Sequence, residues 1–533
     1  MARYVSPASL YKNLADHLRA RRGWARLALA FIYGALSALA FSPANVAPIL
    51  WVSYPALIFL LQGTQNSWRA FLTGWSFAFG FFVFDIYWTA ASMFVDIEQF
   101  WWVVPLAALG LPAVFAVYYG IAAAAARRFG LRGLPGAMGF ALIWFLADYA
   151  RGHVFTGFPW NMAGYAWADF LPVLQSASVI GIYGLTLVTL VAACLPAALA
   201  ESDRRNPGRA LFPASLVALA IVIVWGSLRL QHASPAVEPD VRLRLVQPNI
   251  DQKDKWQADT REENFQELLD LSAAPGARPV TAIIWPETAA TYYLTEDRPH
   301  RQAVAAVVPQ GGSLITGVLR RDIDPVNGIR YFNSLIAINR EAEITAIYDK
   351  SHLVPFGEYV PLRNILPLKA VAGMNLDFSR GTGPQSLNTA GAPSFSPLIC
   401  YEAIFPGRVA DRANPPKFLL NITNDGWYGH TAGPHQHFAI ARVRAVEEGV
   451  PLVRVANTGI SGIIDAYGRI GVKLGLGQKG VIDGDLPQPA PDPTYFVRNG
   501  EVTLWLIYGW LSAYAVFLRY LARKGSSEFK NNP

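Results

Sequence analysis

The chain is 533 residues long, more than one ordinary domain, and 53% of it is hydrophobic while only 16% is charged. A soluble globule carries about a quarter charged residues, so a fully soluble protein is excluded. The net charge of +7 does not call for a nucleic-acid partner, because the surplus arginines flank apolar stretches, where membrane topology needs them.

After a short basic lead, apolar stretches follow one another. The expected membrane spans are 26–42, 48–63, 70–93, 101–126, 134–150, 172–199 and 211–229, with an eighth at 502–522. Each approaches the ~20 residues that cross a bilayer core, the second and fifth being short. The first reads as an anchor and not as a cleaved signal, since the stretches after it are equally apolar. Lysine and arginine set the orientation. With the N-terminus inside, the inside segments hold Arg3, Lys12, Arg19, Arg21, Arg22 and Arg26, then Arg69, then Arg127, Arg128 and Arg132. Arg204, Arg205, Arg209, Arg519, Arg523, Lys524 and Lys530 complete the set. The outside loops 43–47 and 94–100 hold none, and 151–171 holds only Arg151. The expected organisation is a transmembrane domain of seven spans over 1–230, an external domain over 231–501, and an eighth span with a cytoplasmic tail over 502–533.

Asp85 and Asp148 lie within or at the ends of spans. Intramembrane acids are functional candidates by default, but Asp85 is expected to be merely hydrated near the outer interface. The loop 151–171, with Gly157-Phe158-Pro159-Trp160, suits a re-entrant or interfacial segment.

The external part has a different pattern. Val241 to Val246 alternates as a strand does. Residues 257–273 read as helix, and Thr281 to Trp285 as a short buried strand ending in Pro286-Glu287. A helix over 299–309 follows, then strands at Leu314 to Leu319, Asn333 to Ile338 and Ile344 to Tyr348, the last ending at Asp349-Lys350. Residues 354–382 are rich in Pro, Gly and apolar side chains (Phe356, Tyr359, Leu366, Leu368, Met374) and read as a long mobile loop that admits substrate. An apolar run, Pro397 to Ile399, drives into Cys400, after which Glu402 to Asp411 can start a helix. A strand at Phe418 to Ile422, a helix near His435–Glu448, and strands at Val453 to Ala456 and Ser461 to Asp465 close the pattern. Alternating strands and helices indicate a layered α/β domain.

Three ionisable side chains stand at strand ends, where α/β sheets form their sites. They are Glu287 in Trp-Pro-Glu-Thr, Lys350 in Tyr-Asp-Lys-Ser-His-Leu-Val-Pro-Phe-Gly-Glu, and Cys400 in Ile-Cys-Tyr-Glu. A thiol at a helix N-terminus is expected to favour thiolate, the form that attacks a carbonyl. A carboxylate can take the thiol proton, and a lysine can hold the anion of a tetrahedral intermediate. Singly, each has a structural explanation: a buried apolar thiol, a helix cap, a solvated cation. Together they make an acyl-transfer set that needs no histidine.

The Glu–Lys–Cys order in these motifs resembles the nitrilase (carbon–nitrogen hydrolase) superfamily. With seven spans before the domain and one after, the chain is similar over nearly its whole length to the membrane-embedded apolipoprotein N-acyltransferase family. Ala40-Phe41-Ser42-Pro43 and Thr156-Gly157-Phe158-Pro159-Trp160 extend the likeness into the spans. The chain departs from the family pattern at Asp148, Gly426 and Tyr428. The resemblance implies a nitrilase-like αββα sandwich on an eight-helix transmembrane domain, in the bacterial inner membrane with the catalytic domain facing the periplasm. It implies ping-pong transfer of an acyl chain from a phospholipid, typically phosphatidylethanolamine, to the N-terminal amine of a diacylglyceryl-cysteine apolipoprotein, the last step of lipoprotein maturation. Cys400 would carry the thioester, Glu287 would be the base and Lys350 the oxyanion partner. Glu358 would orient the lysine, and Tyr401, Glu402, Asn333 and Trp256 would line the site.

A long acyl chain is insoluble, so the thiol must sit near a bilayer surface, with loop 354–382 and Phe158-Pro159-Trp160 as a lip for lipid entry. Neither a cofactor nor a metal is expected. His430, His435 and His437 beside Asp425 suggest a metal by residue type alone, and His437 reads better as support for the site. A monomer is expected. Two other readings compete: a membrane-tethered nitrilase or amidase that gives its acyl group to water, and a transporter with an external binding module. A hydrolase needs only a tether, and a transporter wants repeat symmetry and midplane polar groups.

Overall fold

The computed structural model describes residues 7–200, 208–233, 236–324, 328–361 and 377–528. Much of the expected entry loop, including Leu366, Leu368 and Met374, lies outside the described residues. The chain divides into two compact units, one of 1–87, 103–229 and 499–533, the other of 88–102 and 230–498.

The first unit is helical. Among the described residues six helices are long and apolar enough to cross a membrane: Gly23–Ala40, Leu106–Phe129, Gly133–His153, Ala177–Ala200, Ala210–Gln231 and Val502–Leu521. The expected third span is helical over Ser67–Asp85, and the expected second is a shorter apolar helix, Ala47–Gln62. Asp85 is not hydrated: it is 1% exposed and accepts a hydrogen bond from Asn161 Nδ2 at 2.7 Å. Burial is tolerated because a neutral amide meets the acid where water does not. Asp148 is buried as well and accepts from Tyr119 at 2.5 Å, while Arg151 donates to the carbonyls of Phe158 (2.6 Å) and Trp160 (2.8 Å). The Gly-Pro-Trp loop therefore folds back on the end of its own helix, its backbone acceptors met by a buried arginine.

The second unit is an α/β fold with two six-stranded sheets. The strands are β1 (Val237–Gln247), β2 (Ala282–Ile284), β3 (Ser313–Asp324), β4 (Gly328–Ile338), β5 (Ile344–Asp349), β6 (Leu387–Thr389), β7 (Ala392–Ile399), β8 (Phe418–Thr423), β9 (Leu452–Ala456), β10 (Ser461–Ile464), β11 (Ile470–Leu474) and β12 (Gly480–Pro487). One sheet runs β12-β1-β2-β3-β4-β5 and the other β11-β10-β9-β8-β7-β6. Every second residue of a strand faces the same way. Leu243, Leu245, Ile284, Ile315 and Leu335 of the first sheet thus meet Phe395, Ile399, Leu420, Ile422 and Val453 of the second in one core. The outer face of the first sheet (Val246, Ile283, Leu314, Ile336) is covered by Phe265 and Leu268 of helix Arg261–Ala273 and by Val304 of helix Arg298–Ala306. The outer face of the second (Leu398, Leu419, Leu452) is covered by Phe438, Ala441 and Ala445 of helix Ala432–Glu448.

Two sequence expectations fail here. The pattern does not close at residue 465: β11 and β12 follow, and β12 pairs antiparallel with β1. Their half-exposed positions and interspersed glycines (Gly471, Gly480, Gly484) blur the alternation that reveals a strand. No α-helix starts at Glu402 either. Cys400–Ile404 is a five-residue 3-10 turn. Pro406 holds Phe405 in extended backbone (φ −89°, ψ 108°) and so stops the helix.

Candidate active site

Lys350 and Cys400 follow directly on β5 and β7 of the two-sheet core, and Glu287 stands three residues past the end of β2. All are enclosed, at 1%, 6% and 6% exposed. The Glu287 turn lies tight on β3. A Cβ on Gly317 would come within 2.6 Å of Glu287 Cα and 2.4 Å of Thr288 N, so only glycine lets the turn sit there.

The carboxylate of Glu287 is fixed from both sides. Its Oε1 accepts from Asn333 Nδ2 at 2.7 Å and lies 3.5 Å from Lys350 Nζ, and its Oε2 accepts from the backbone N–H of Asn424 at 2.9 Å. Lys350 Nζ donates to Glu358 Oε1 at 3.0 Å. Asn333, in β4, also donates to that oxygen at 2.8 Å, and Glu358 Oε2 accepts from Val354 N at 2.8 Å. One amide thus joins the two carboxylates that flank one ammonium. Burial works against the charge on Lys350, but Glu358, Glu287 and Cys400 outweigh it and raise its pKa above the ordinary lysine range. The lysine stays cationic.

Cys400 differs from expectation. Its backbone has φ +50°, a left-handed conformation that is costly for a side chain with a Cβ and that recurs at functional turns. Its thiol is not poised as thiolate. Burial, followed by the Glu287 carboxylate, pushes it up to about 12 against the opposing pull of Lys350. Without a helix behind it, no macrodipole offsets that burial. At rest Cys400 is a neutral thiol.

The other expected residues sort themselves by contact. Glu402 is a brace: its Oε1 accepts from Tyr348 Oη (2.7 Å), Ser351 N (2.7 Å), Ser351 Oγ (2.7 Å) and His352 N (3.1 Å), and its Oε2 from Ile399 N (2.8 Å). It ties the segment after Lys350 to the turn that holds the nucleophile. Tyr401 is buried, with its ring centroid 5.1 Å from Phe405 and 5.7 Å from His352. Trp256 is 45% exposed on its turn.

His437 bonds Asp425 Oδ1 through Nδ1 at 2.9 Å and the Cys400 carbonyl through Nε2 at 3.2 Å. Nδ1 faces a donor as well as an acceptor, since Arg454 Nη2 lies 3.1 Å from it. Burial, followed by the Arg454 charge, lowers the ring's pKa against the opposing pull of Asp425. Asp425 also accepts from Arg454 Nη2 at 2.8 Å; burial alone would raise it, but Arg454 and His437 hold it down to about 2.

Three residues at the site escape the sequence reading. Asn424 holds Glu287 through its backbone, and its Nδ2 donates to Gln252 Oε1 at 2.7 Å. Tyr428 is half-buried and is a hydrogen-bond partner of the Cys400 thiol; its ring lies 4.5 Å from that of Trp88. Lys255 is 2% exposed, with Nζ 3.3 Å from the Glu287 carbonyl oxygen. Burial lowers its pKa to about 8 against the pull of Glu287. The Asn-Asp-Gly-Trp-Tyr-Gly run was the only sequence signal for the first two, and nothing marks Lys255.

Two family models match. Residues 33–195 match the apolipoprotein N-acyltransferase N-terminal domain, and residues 242–491 match carbon-nitrogen hydrolase. The chain is 39% identical to an apolipoprotein N-acyltransferase of Rhodopseudomonas palustris over 90% of this chain and 92% of that one. It is 41% identical to the Bradyrhizobium diazoefficiens protein of that name, again over 90% and 92%. It is 38% identical to the one from Brucella melitensis over 96% and 99%. A solved CN-hydrolase superfamily protein from Xanthomonas campestris is 20% identical, with a TM-score of 0.35, over 48% of this chain and 92% of that one.

Proposed function

Because the chain belongs to the apolipoprotein N-acyltransferase family, we propose that it acylates the N-terminal amine of diacylglyceryl-cysteine apolipoproteins through a thioester on Cys400. The observation that carries the reading is the placement of Lys350, a buried cation 3.0 Å from Glu358 and 3.5 Å from Glu287, close enough to Cys400 for each to shift the other's titration.

In the first half-reaction Cys400 Sγ attacks the ester carbonyl of a phospholipid while its proton passes to Glu287. The negative charge that develops on the carbonyl oxygen is met by Lys350, whose ammonium is already in place. Collapse breaks the ester C–O bond. The departing lysophospholipid oxygen takes the proton from Glu287, leaving an acyl thioester. In the second half the apolipoprotein amine attacks the thioester carbonyl and gives a proton to Glu287. The C–S bond breaks, the sulfur recovers a proton, and the amide is released. Asn333 and the Asn424 N–H keep the glutamate aimed in both halves, and enclosure of the site keeps water from the thioester.

The protein is a multi-pass membrane protein. Eight spans, residence in the inner membrane, a periplasmic catalytic domain, phosphatidylethanolamine as donor and a monomeric state complete the proposal. The arginine distribution supports the orientation. The test uses a phospholipid labelled in its acyl chain and a diacylglyceryl-cysteine peptide. Label should arrive on the peptide amine. Label found only as free fatty acid, whether or not peptide is present, would make the protein a hydrolase.

A further inference from the structure

The turn that carries Lys255 is built into the site. Ile250 N donates to Asn457 Oδ1 at 3.0 Å, and Asn457 Nδ2 returns bonds to the Ile250 carbonyl (2.9 Å) and to Asn424 Oδ1 (3.1 Å). Gln252 is bonded to the same Asn424 whose backbone N–H holds Glu287. From this anchored turn Lys255 points inward and its ammonium rests on the backbone carbonyl of Glu287. That is a single neutral acceptor, at 3.3 Å. Among the described residues no carboxylate lies within ion-pair distance of Lys255 Nζ, whereas Lys350 has two. A buried ammonium has three donors and a charge to compensate, and one long bond to a carbonyl meets neither need. Such a group is completed by an anion that arrives with the ligand.

We propose that Lys255 binds the phosphodiester of the acyl donor, so that the enzyme recognises the phosphate that glycerophospholipids share. The inference rests on the acyl-transfer reading above. The Glu287 carbonyl and the Glu287 carboxylate belong to one residue, so an ester placed at Cys400 has its glycerophosphate, a few bonds away, within range of Lys255. The lysine is enclosed nearly as fully as Lys350, at 2% against 1%, and more than Cys400 at 6%. Pairing with the ammonium cancels the buried charge of both partners.

The experiment compares two acyl donors of equal chain length in detergent: a phospholipid and a neutral nitrophenyl ester. Thioester on Cys400 is followed by mass. Lys255→Gln keeps a donor for the Glu287 carbonyl and loses the charge. Its rate with phospholipid should fall by about 10-fold or more beyond any fall with the neutral ester, the value of one charge-assisted hydrogen bond. Lys255→Arg should keep the preference for the phospholipid. Equal losses with both donors in Lys255→Gln would overturn the proposal and leave Lys255 as a clamp on Glu287. If that variant does not fold, the unmodified protein serves: a soluble glycerophosphodiester should inhibit acylation by the neutral ester where glycerol does not, and equal inhibition by the two overturns the proposal. Absence of thioester with either donor in the unmodified protein would instead refute the acyl-transfer reading.

Discussion

The thiol at the centre of the site is protonated at rest, and that sets what Glu287 must do. A carboxylate beside a buried thiol raises the thiol pKa, and Glu287 raises that of Cys400 more than Asp425 does; in the proposed reaction the same carboxylate is the base. The two roles separate in Glu287→Gln. Acyl transfer should be lost, while the pH midpoint for alkylation of Cys400 by iodoacetamide, read by peptide mass, should move down. An unchanged or raised midpoint would show that the carboxylate is not beside the thiol. Lys350→Ala should move the midpoint up and slow acylation by about 10²–10³-fold, the cost of one oxyanion donor in a well-studied protease. At this scale the sequence singles out Glu287, Lys350 and Cys400 because each stands at or just past the end of an apolar strand inside a dense local motif, and the structure encloses all three. Lys255 is not legible. It stands in the charged turn Lys253-Asp254-Lys255-Trp256, where a lysine reads as solvated, and only the hydrogen bonds of Asn457 and Asn424 turn it inward.

Among elements, residues on and beside β8 and β9 support the Cys400 turn at the end of β7. Asp425 follows β8, Arg454 lies in β9, and His437, in helix Ala432–Glu448, reaches the Cys400 carbonyl. Asp425, Arg454 and His437 are all fully enclosed. Asp425→Asn leaves the guanidinium and the imidazole without their anion, and removal of one partner of such a buried pair costs about 3–5 kcal/mol. A fall in thermal midpoint is expected, together with slower thioester formation as the turn at Cys400 loosens. A variant as stable as the parent would remove the cluster from the account. The pH sign follows from the depressed carboxylate: its stabilisation is complete above the ordinary value of 3.8 and is lost as pH falls toward about 2. The strand–strand core is legible from alternation, whereas the Cys400 turn is misread as a helix start. Glu402 looks like the first acid of a helix, but its carboxylate is spent on Ser351, His352, Tyr348 and Ile399.

For the whole molecule, composition and arginine placement separate the apolar helices from the α/β unit without any structure. What they do not show is where a helix ends. Asp85 closes the helix Ser67–Asp85, and Asn161, distant in sequence, makes its burial tolerable. Reporter fusions after residue 233 and at the C-terminus should report the periplasm and the cytoplasm respectively. A cytoplasmic signal from the first would contradict the assigned orientation. The central claim is that Cys400 carries the acyl chain between two substrates. Intact-mass measurement after incubation with phospholipid alone tests it most directly. One acyl group should appear on the protein, map to Cys400, and leave on addition of a diacylglyceryl-cysteine peptide, and it should be absent from Cys400→Ala. Acylation of that peptide by Cys400→Ala, or an adduct at any other residue, would contradict the account.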